Sequence, residues 1–130
     1  MIVVDASVIL DVLLRTAAGQ AIGDRLLAEG QLLCAPHLLD VEVVQVLRRY
    51  AAAGQLDSAR GREAIQDLTD LPIERYPHDL LLPRIWELRA NLTAYDAAYV
   101  ALAEVLDATL VTRDKRLGNA PGHRASIELV

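Results

Sequence analysis

A single cysteine, Cys34, stands among the 130 residues, so the chain can form no internal disulfide. It lies in the apolar run Leu32-Leu33-Cys34-Ala35 and reads as a small core residue, compatible with a reducing compartment. Lysine is nearly absent: Lys115 is the only one, and the other basic residues are arginines. Acids outnumber bases by 18 to 13, a net charge of −5, which argues against a module that binds nucleic acid by broad phosphate neutralisation. No apolar run is long enough to span a bilayer, because acids interrupt every candidate. Met1 leads straight into Ile2-Val3-Val4 without a basic leader, which reads as a cytoplasmic protein with no membrane association. Glycines are scattered, so no phosphate-cradling loop exists. His37, His78 and His123 share no ligand spacing, which makes a zinc site improbable. Repeats, low-complexity segments and linkers are also missing.

What remains is a soluble balance, 53% hydrophobic and 24% charged, in a chain long enough for one core, so residues 1–130 are expected to form a single domain. Ile2-Val3-Val4 is a short strand of the kind buried on both faces. Helical stretches are expected at about 7–14 and 19–29, and a second strand at 31–35, stopped by Pro36. Leu39, Val43, Leu47 and Tyr50 recur at helical spacing over 37–53, and Gly54 closes that helix. Asp57 or Ser58 can cap a helix to about 69. The segment 71–76 contains Pro72 and precedes Pro77, so it can only be a short or edge strand. Helices at 80–90 and 95–106 and strands at 109–111 and 126–130 follow, with 118–122 read as a turn. Alternating strands and helices predict an α/β fold, a three-layer α/β/α sandwich around a central, mostly parallel sheet.

Ligands of open α/β sheets bind beyond the carboxyl ends of the strands. Asp5 follows the first strand directly, and Asp114 follows Thr109-Leu110-Val111 after Thr112 and Arg113. Taken singly, each could be a helix cap or a turn aspartate. Glu42 sits in the long helix among Leu38, Leu39, Gln45 and Val46, a costly place for a carboxylate without a cation or donor. Asp40, two residues away, turns to another face and reads as a solvated or first-turn acid. Asp96 opens a helix that is apolar almost all round, and could simply complement its dipole. Four carboxylates meeting in one cleft would repel one another and raise each other's pKa values unless a cation offset the charge. All-oxygen donors select Mg²⁺, with Mn²⁺ as a substitute.

Other aspartate chemistries fit less well. A haloacid-dehalogenase-like phosphatase wants a second acid two residues after the first, and that position is Ser7. A phosphoacceptor receiver domain expects adjacent acids near the first strand and a lysine near the last. A third alternative keeps the acid cluster only as a structural metal site in a non-catalytic RNA- or protein-binding domain.

The ordered set Val4-Asp5-Ala6-Ser7, Val41-Glu42-Val43 leading to Leu47-Arg48-Arg49, Tyr95-Asp96-Ala97-Ala98-Tyr99 through Ala103, and Val111-Thr112-Arg113-Asp114 resembles the PIN-domain nucleases. Within them it is most similar to the VapC-type toxins of type II toxin–antitoxin systems. The resemblance covers nearly the whole chain. It implies a metal-dependent endoribonuclease acting on structured RNA such as tRNA or rRNA, held in check by a small cognate antitoxin, and a homodimer. It also implies an acidic cluster of Asp5, Glu42, Asp96 and Asp114. Asp5 and Asp96 would be the direct metal ligands, and Glu42 and Asp114 would bind directly or through water. Ser7 and Thr112 would orient carboxylates or water. Arg113, Lys115 and Arg116 are candidates to hold RNA phosphates, or else a solvated basic turn. Exposed apolar residues are expected on the long helix (Leu38, Val46, Tyr50) and at Leu80-Leu81-Leu82.

Overall fold

A computed structural model describes all residues, 1–130. Five strands form one sheet: β1 (Ile2–Val4), β2 (Leu33–Pro36), β3 (Ile73–Tyr76), β4 (Thr109–Thr112) and β5 (Ile127–Leu129). Their spatial order is β3-β2-β1-β4-β5, and every pairing is parallel. All residues of β1 and β2 are buried, so both faces of the sheet centre are covered, which is why these strands read as unbroken apolar runs. β3, flanked by its prolines, takes one edge as expected, and β5 takes the other.

Seven helices complete the sandwich: α1 (Ala6–Leu13), α2 (Gly19–Leu26), α3 (Leu38–Ala52), α4 (Ser58–Asp70), α5 (Leu82–Glu87), α6 (Ala94–Leu106) and α7 (Lys115–Asn119). None is long and apolar enough to cross a membrane. One contiguous core joins β1, β2 and β4 to the inner faces of α1, α3 and α6. The expected helix over 80–90 is instead a 3-10 turn (Asp79–Leu81) followed by the short α5. Asp57 holds the N-cap position of α4, but its side chain makes no capping bond.

The short helix α7 departs from the turn expected around Gly118. Asp114 starts it by accepting from the Arg116 backbone N–H at 2.9 Å. Gly118 lets it lie against β5, because a Cβ there would meet the Leu129 side chain at 3.0 Å. A glycine that reads as a breaker along the chain is here a close-approach residue.

The chain lays down β1, β2 and β3 in one direction and then crosses to the other side of β1 for β4. That reversal opens a crevice at the carboxyl ends of β1 and β4. Register sharpens the point: Val4 stands opposite Val111, so the next residues out, Asp5 and Thr112, arrive side by side.

Candidate active site

Asp5 is buried at the switch point and its carboxylate is saturated with donors. Oδ1 accepts from the Ser7 N–H at 3.0 Å, the Val8 N–H at 3.4 Å and the Ser7 hydroxyl; Oδ2 accepts from the Thr112 hydroxyl. Asp5 is therefore the N-cap of α1 as well as a site residue. Burial raises its pKa, and these four donors work against the shift.

The two hydroxyls are themselves held. Ser7 Oγ accepts from the Arg113 N–H at 3.0 Å, and Thr112 Oγ1 accepts from the Asp114 N–H at 3.0 Å. Thr112 is fully buried. Asp5 is thus oriented by a network that ties α1 to the loop after β4.

Glu42 projects from the second turn of α3. The Tyr99 hydroxyl donates to its Oε1 at 2.6 Å. Burial pushes the Glu42 carboxyl up first, and the charges of Asp96 and Asp5 push it further. The same neighbourhood raises the Tyr99 phenol, so it stays a donor. Tyr99 is the site residue that sequence reasoning missed. Its signal was available: it lies three residues after Asp96, on the same face of α6.

Asp96 lies in the first turn of α6, where the Thr93 hydroxyl caps its N–H at 3.2 Å. Burial raises its carboxyl, and the charge of Asp114 adds to the rise. The four acids are thereby linked through their fields, Asp5 to Glu42, Glu42 to Asp96, and Asp96 to Asp114.

The expectation that all four rise fails at Asp114. The Arg116 guanidinium, with Nε 3.2 Å from Oδ1 and Nη2 2.9 Å from Oδ2, holds this carboxyl below its ordinary value. Arg113 is tied to Asp11 at 3.1 Å, whereas Lys115 is exposed and makes no ion pair. Asp40 is not a free solvated acid: both its oxygens receive the Arg75 guanidinium, at 2.7 and 2.9 Å, away from the cluster.

No three of these side chains form a ready-made cage around a single point. The chemistry of the donor set nevertheless suits a hard divalent cation. Asp5, Glu42 and Asp96 are at least half-buried carboxylates, and none pairs with an arginine or lysine. Mg²⁺ keeps several of its waters and needs only one or two protein carboxylates. An open cleft of about 360 Å³ runs from Ser7 between α1 and α3, lined by Arg49, Tyr50 and Arg113 among others. None of the four acids lines this cleft, nor a larger cavity of about 460 Å³ between α1 and α2.

Comparison with known proteins places this geometry in context. A family model described as PIN domain matches residues 2–122. Ribonuclease VapC9 of Mycobacterium tuberculosis (strain ATCC 25618 / H37Rv) is 48% identical over 130 residues, 100% of this chain and 98% of its own length. Ribonuclease VapC1 of the same strain is 43% identical over 129 residues, 98% of this chain and 96% of its own. The crystal structure of PAE2754 from Pyrobaculum aerophilum superposes with a TM-score of 0.69 at 26% identity, covering 96% of this chain and 81% of that one. VapBC2 from Rickettsia felis, crystallised with a DNA fragment from its promoter, gives a TM-score of 0.71 over 99% of this chain and 98% of that one. At 14% identity that likeness concerns the fold alone.

Proposed function

The chain belongs to the PIN-domain family, in its VapC branch, and we propose that it is a metal-dependent endoribonuclease toxin acting in the cytoplasm as one nuclease domain over residues 1–130. The observation that carries this reading is the trio Asp5, Glu42 and Asp96. Three desolvated carboxylates, none of them in an ion pair, gather at the carboxyl edge of a parallel sheet. Uncompensated charge of that kind is costly in a structural role and useful where a cation is to be bound.

Asp5 and Asp96 would hold Mg²⁺, with Mn²⁺ as a substitute, and Glu42 and Asp114 would join directly or through water. When bound, such an ion supplies a water of lowered pKa and offsets negative charge on the phosphoryl oxygens. The protein's own part is positioning. Ser7 and Thr112 fix the Asp5 carboxylate so that it does not turn away, and the Tyr99 hydroxyl does the same for Glu42. The Arg49, Tyr50 and Arg113 cleft offers a path for an RNA backbone beside Ser7, and the exposed Lys115 and Arg116 offer further cations on the loop and helix after β4. The substrate class we assign is structured RNA, tRNA or rRNA.

Incubation with labelled tRNA and rRNA fragments in Mg²⁺ should give discrete cuts that EDTA abolishes and Mn²⁺ restores. A preparation inert under all these conditions would leave the non-catalytic binding role. Metal binding is tested separately. Calorimetric titration with Mn²⁺ should show a weak site in the wild-type protein and no resolvable heat of binding in the folded Asp5→Asn, Asp96→Asn double variant. Unchanged affinity in that variant would mean that the ion sits elsewhere.

A homodimer and a small antitoxin complete the proposal. Leu80 is 83% exposed, Leu82 57% and Trp86 67%, an apolar set too prominent for solvent, whereas the intervening Leu81 is core. Of the expected α3 residues, Tyr50 is exposed, and Leu38 and Val46 are half-buried. A partner silencing the enzyme would most directly lay an arginine onto the acids. Light scattering on the isolated chain should report a dimer, and a complex with the antitoxin should lose both cleavage and Mn²⁺ affinity. A strict monomer at micromolar concentration would remove the dimer from this account.

A further inference from the structure

Arg116 occupies an unusual position. Its guanidinium grips both oxygens of Asp114, at 3.2 and 2.9 Å, yet the side chain is 89% exposed. Only that carboxylate bonds to it: no carbonyl or aromatic face contributes, and the charge of Asp96 adds a through-space attraction without a contact. Other ion-paired arginines differ. Arg113 is bound to the half-buried Asp11. Arg75 is anchored by Asp40 and also by the Ile73 and Leu68 carbonyls. Arg116 alone is both docked on a site carboxylate and free to leave it.

An exposed pair of this kind is weak, because solvent screens the attraction and the long side chain loses freedom by staying in place. Asp114 itself is fixed whether or not Arg116 stays, since its Oδ1 caps the Arg116 backbone N–H as the first turn of α7. The carboxylate is therefore a preformed ligand with a removable cation already seated on it. A planar guanidinium released there is suited to bidentate capture of a phosphate.

We infer that Arg116 exchanges partners: it yields the Asp114 carboxylate to a bound divalent cation and turns its guanidinium to a phosphate of the RNA. The inference rests on the metal-dependent nuclease reading above. Metal and RNA binding are coupled by it, because the basic contact becomes available only when the acid cluster is neutralised. In the metal-free protein the same arginine satisfies Asp114 and so lowers the negative charge of the cluster.

The test uses the full chain with Mn²⁺ alone and with a 2′-O-methyl RNA hairpin whose integrity is checked on a gel. Arg116→Ala should bind Mn²⁺ roughly two- to five-fold more tightly than wild type, the competition of one exposed ion pair being removed. Lys115→Ala removes the same unit charge from the neighbouring residue without touching Asp114, and should leave Mn²⁺ affinity near the wild-type value. At fixed Mn²⁺, the dependence of hairpin affinity on monovalent salt should be shallower in Arg116→Ala by about 0.7–0.9 in log–log slope, the signature of one lost phosphate contact. In EDTA the wild-type and Arg116→Ala slopes should coincide. Mn²⁺ affinity unchanged in Arg116→Ala, or raised equally in Lys115→Ala, overturns the exchange. So does a slope difference that persists in EDTA. If the wild-type protein takes up no Mn²⁺ at all, the metal-dependent reading falls first and this inference with it.

Discussion

Single replacement of Asp5, Glu42, Asp96 or Asp114 by its amide is expected to lower RNA cleavage by about a hundredfold or more, while the protein stays folded. The neutral amide keeps shape and volume but cannot offer a second anionic oxygen to a cation. At Asp5 the change is mild structurally: an amide oxygen in the Oδ1 position still accepts from Ser7 and Val8, and the Thr112 hydroxyl can turn its proton away and accept from the new NH₂ group. Asp40→Asn is the control. It breaks the bidentate Arg75 pair and should cost roughly 0.2–1 kcal/mol of stability, with cleavage within about twofold of wild type. A dead Asp40→Asn beside an active Glu42→Gln would show that the wrong face of α3 had been assigned to catalysis.

Stability should move opposite to activity at Asp5, Glu42 and Asp96. The folded-state pKa values of Asp5, Glu42 and Asp96 lie above their ordinary values of 3.8, 4.5 and 3.8. The folded protein therefore binds more protons than the unfolded chain just above the usual carboxylate range, and metal-free stability rises as pH falls through the raised values. Asp114 and Glu104 have lowered pKa values and act in the other direction. Their contribution is present at neutral pH and is lost only as pH falls through those lowered values. The metal-free protein should thus be most stable somewhat below neutrality. Asp5→Asn and Asp96→Asn should melt above wild type at pH 7 and converge on it in acid. Melting curves in EDTA from pH 7 to pH 4 check this, and a wild-type protein that only loses stability over that range would contradict it.

The parts of this site that could be read along the chain are those fixed by where strands stop. Asp5 and Asp114 follow short apolar strands, and the parallel pairing of those strands brings them to one edge. Glu42 was visible because a carboxylate among leucines and valines lacks a cheap explanation. Pairings made by side-chain reach were not visible. Tyr99 looked like one more bulky residue in an apolar helix, and only the fold brings its hydroxyl on α6 within reach of Glu42 on α3. The Arg116 grip on Asp114 needed α7, a five-residue helix with a glycine inside it, which no periodicity could announce over so short a span. The Arg113 pairing with Asp11 depends on the loop after β4 folding back over α1. A helix cap and a place in an acidic cluster also turned out to be compatible in one residue. Asp5 and Asp114 each start a helix and each belong to the acid cluster, so the plainer explanation did not exclude the functional one.

The Ala101→Leu variant is expected to lose activity without any change to an ionisable residue. Residues 97–103 of α6 are all buried, four of them alanines, and the helix lies across β1, β2 and β4. Ala97 and Ala101 are one turn apart and completely buried, which lets the α6 backbone approach its neighbours closely. That approach sets the height of the first turn, and with it the position of Asp96 against Asp114 and Glu42. A leucine at 101 has no room. Overpacking of this kind costs about 1–3 kcal/mol, a fall of roughly 4–12 °C in melting temperature for a chain of this size. The helix relieves the crowding by moving outward, and a shift of about 1 Å at Asp96 is enough to cost on the order of a hundredfold in rate. Cleavage measured well below the melting transition should therefore fall much further than the unfolded fraction allows, and Mn²⁺ affinity should fall with it. Val105→Leu, on the exposed side of the same helix, adds a methylene at a residue that is 67% exposed and should change stability by less than about 0.5 kcal/mol. If Ala101→Leu kept wild-type melting and wild-type cleavage, the packing of α6 would not be what positions Asp96. If it melted lower but cut normally, stability and site geometry would be independent, and the small residues of this helix would serve the core alone.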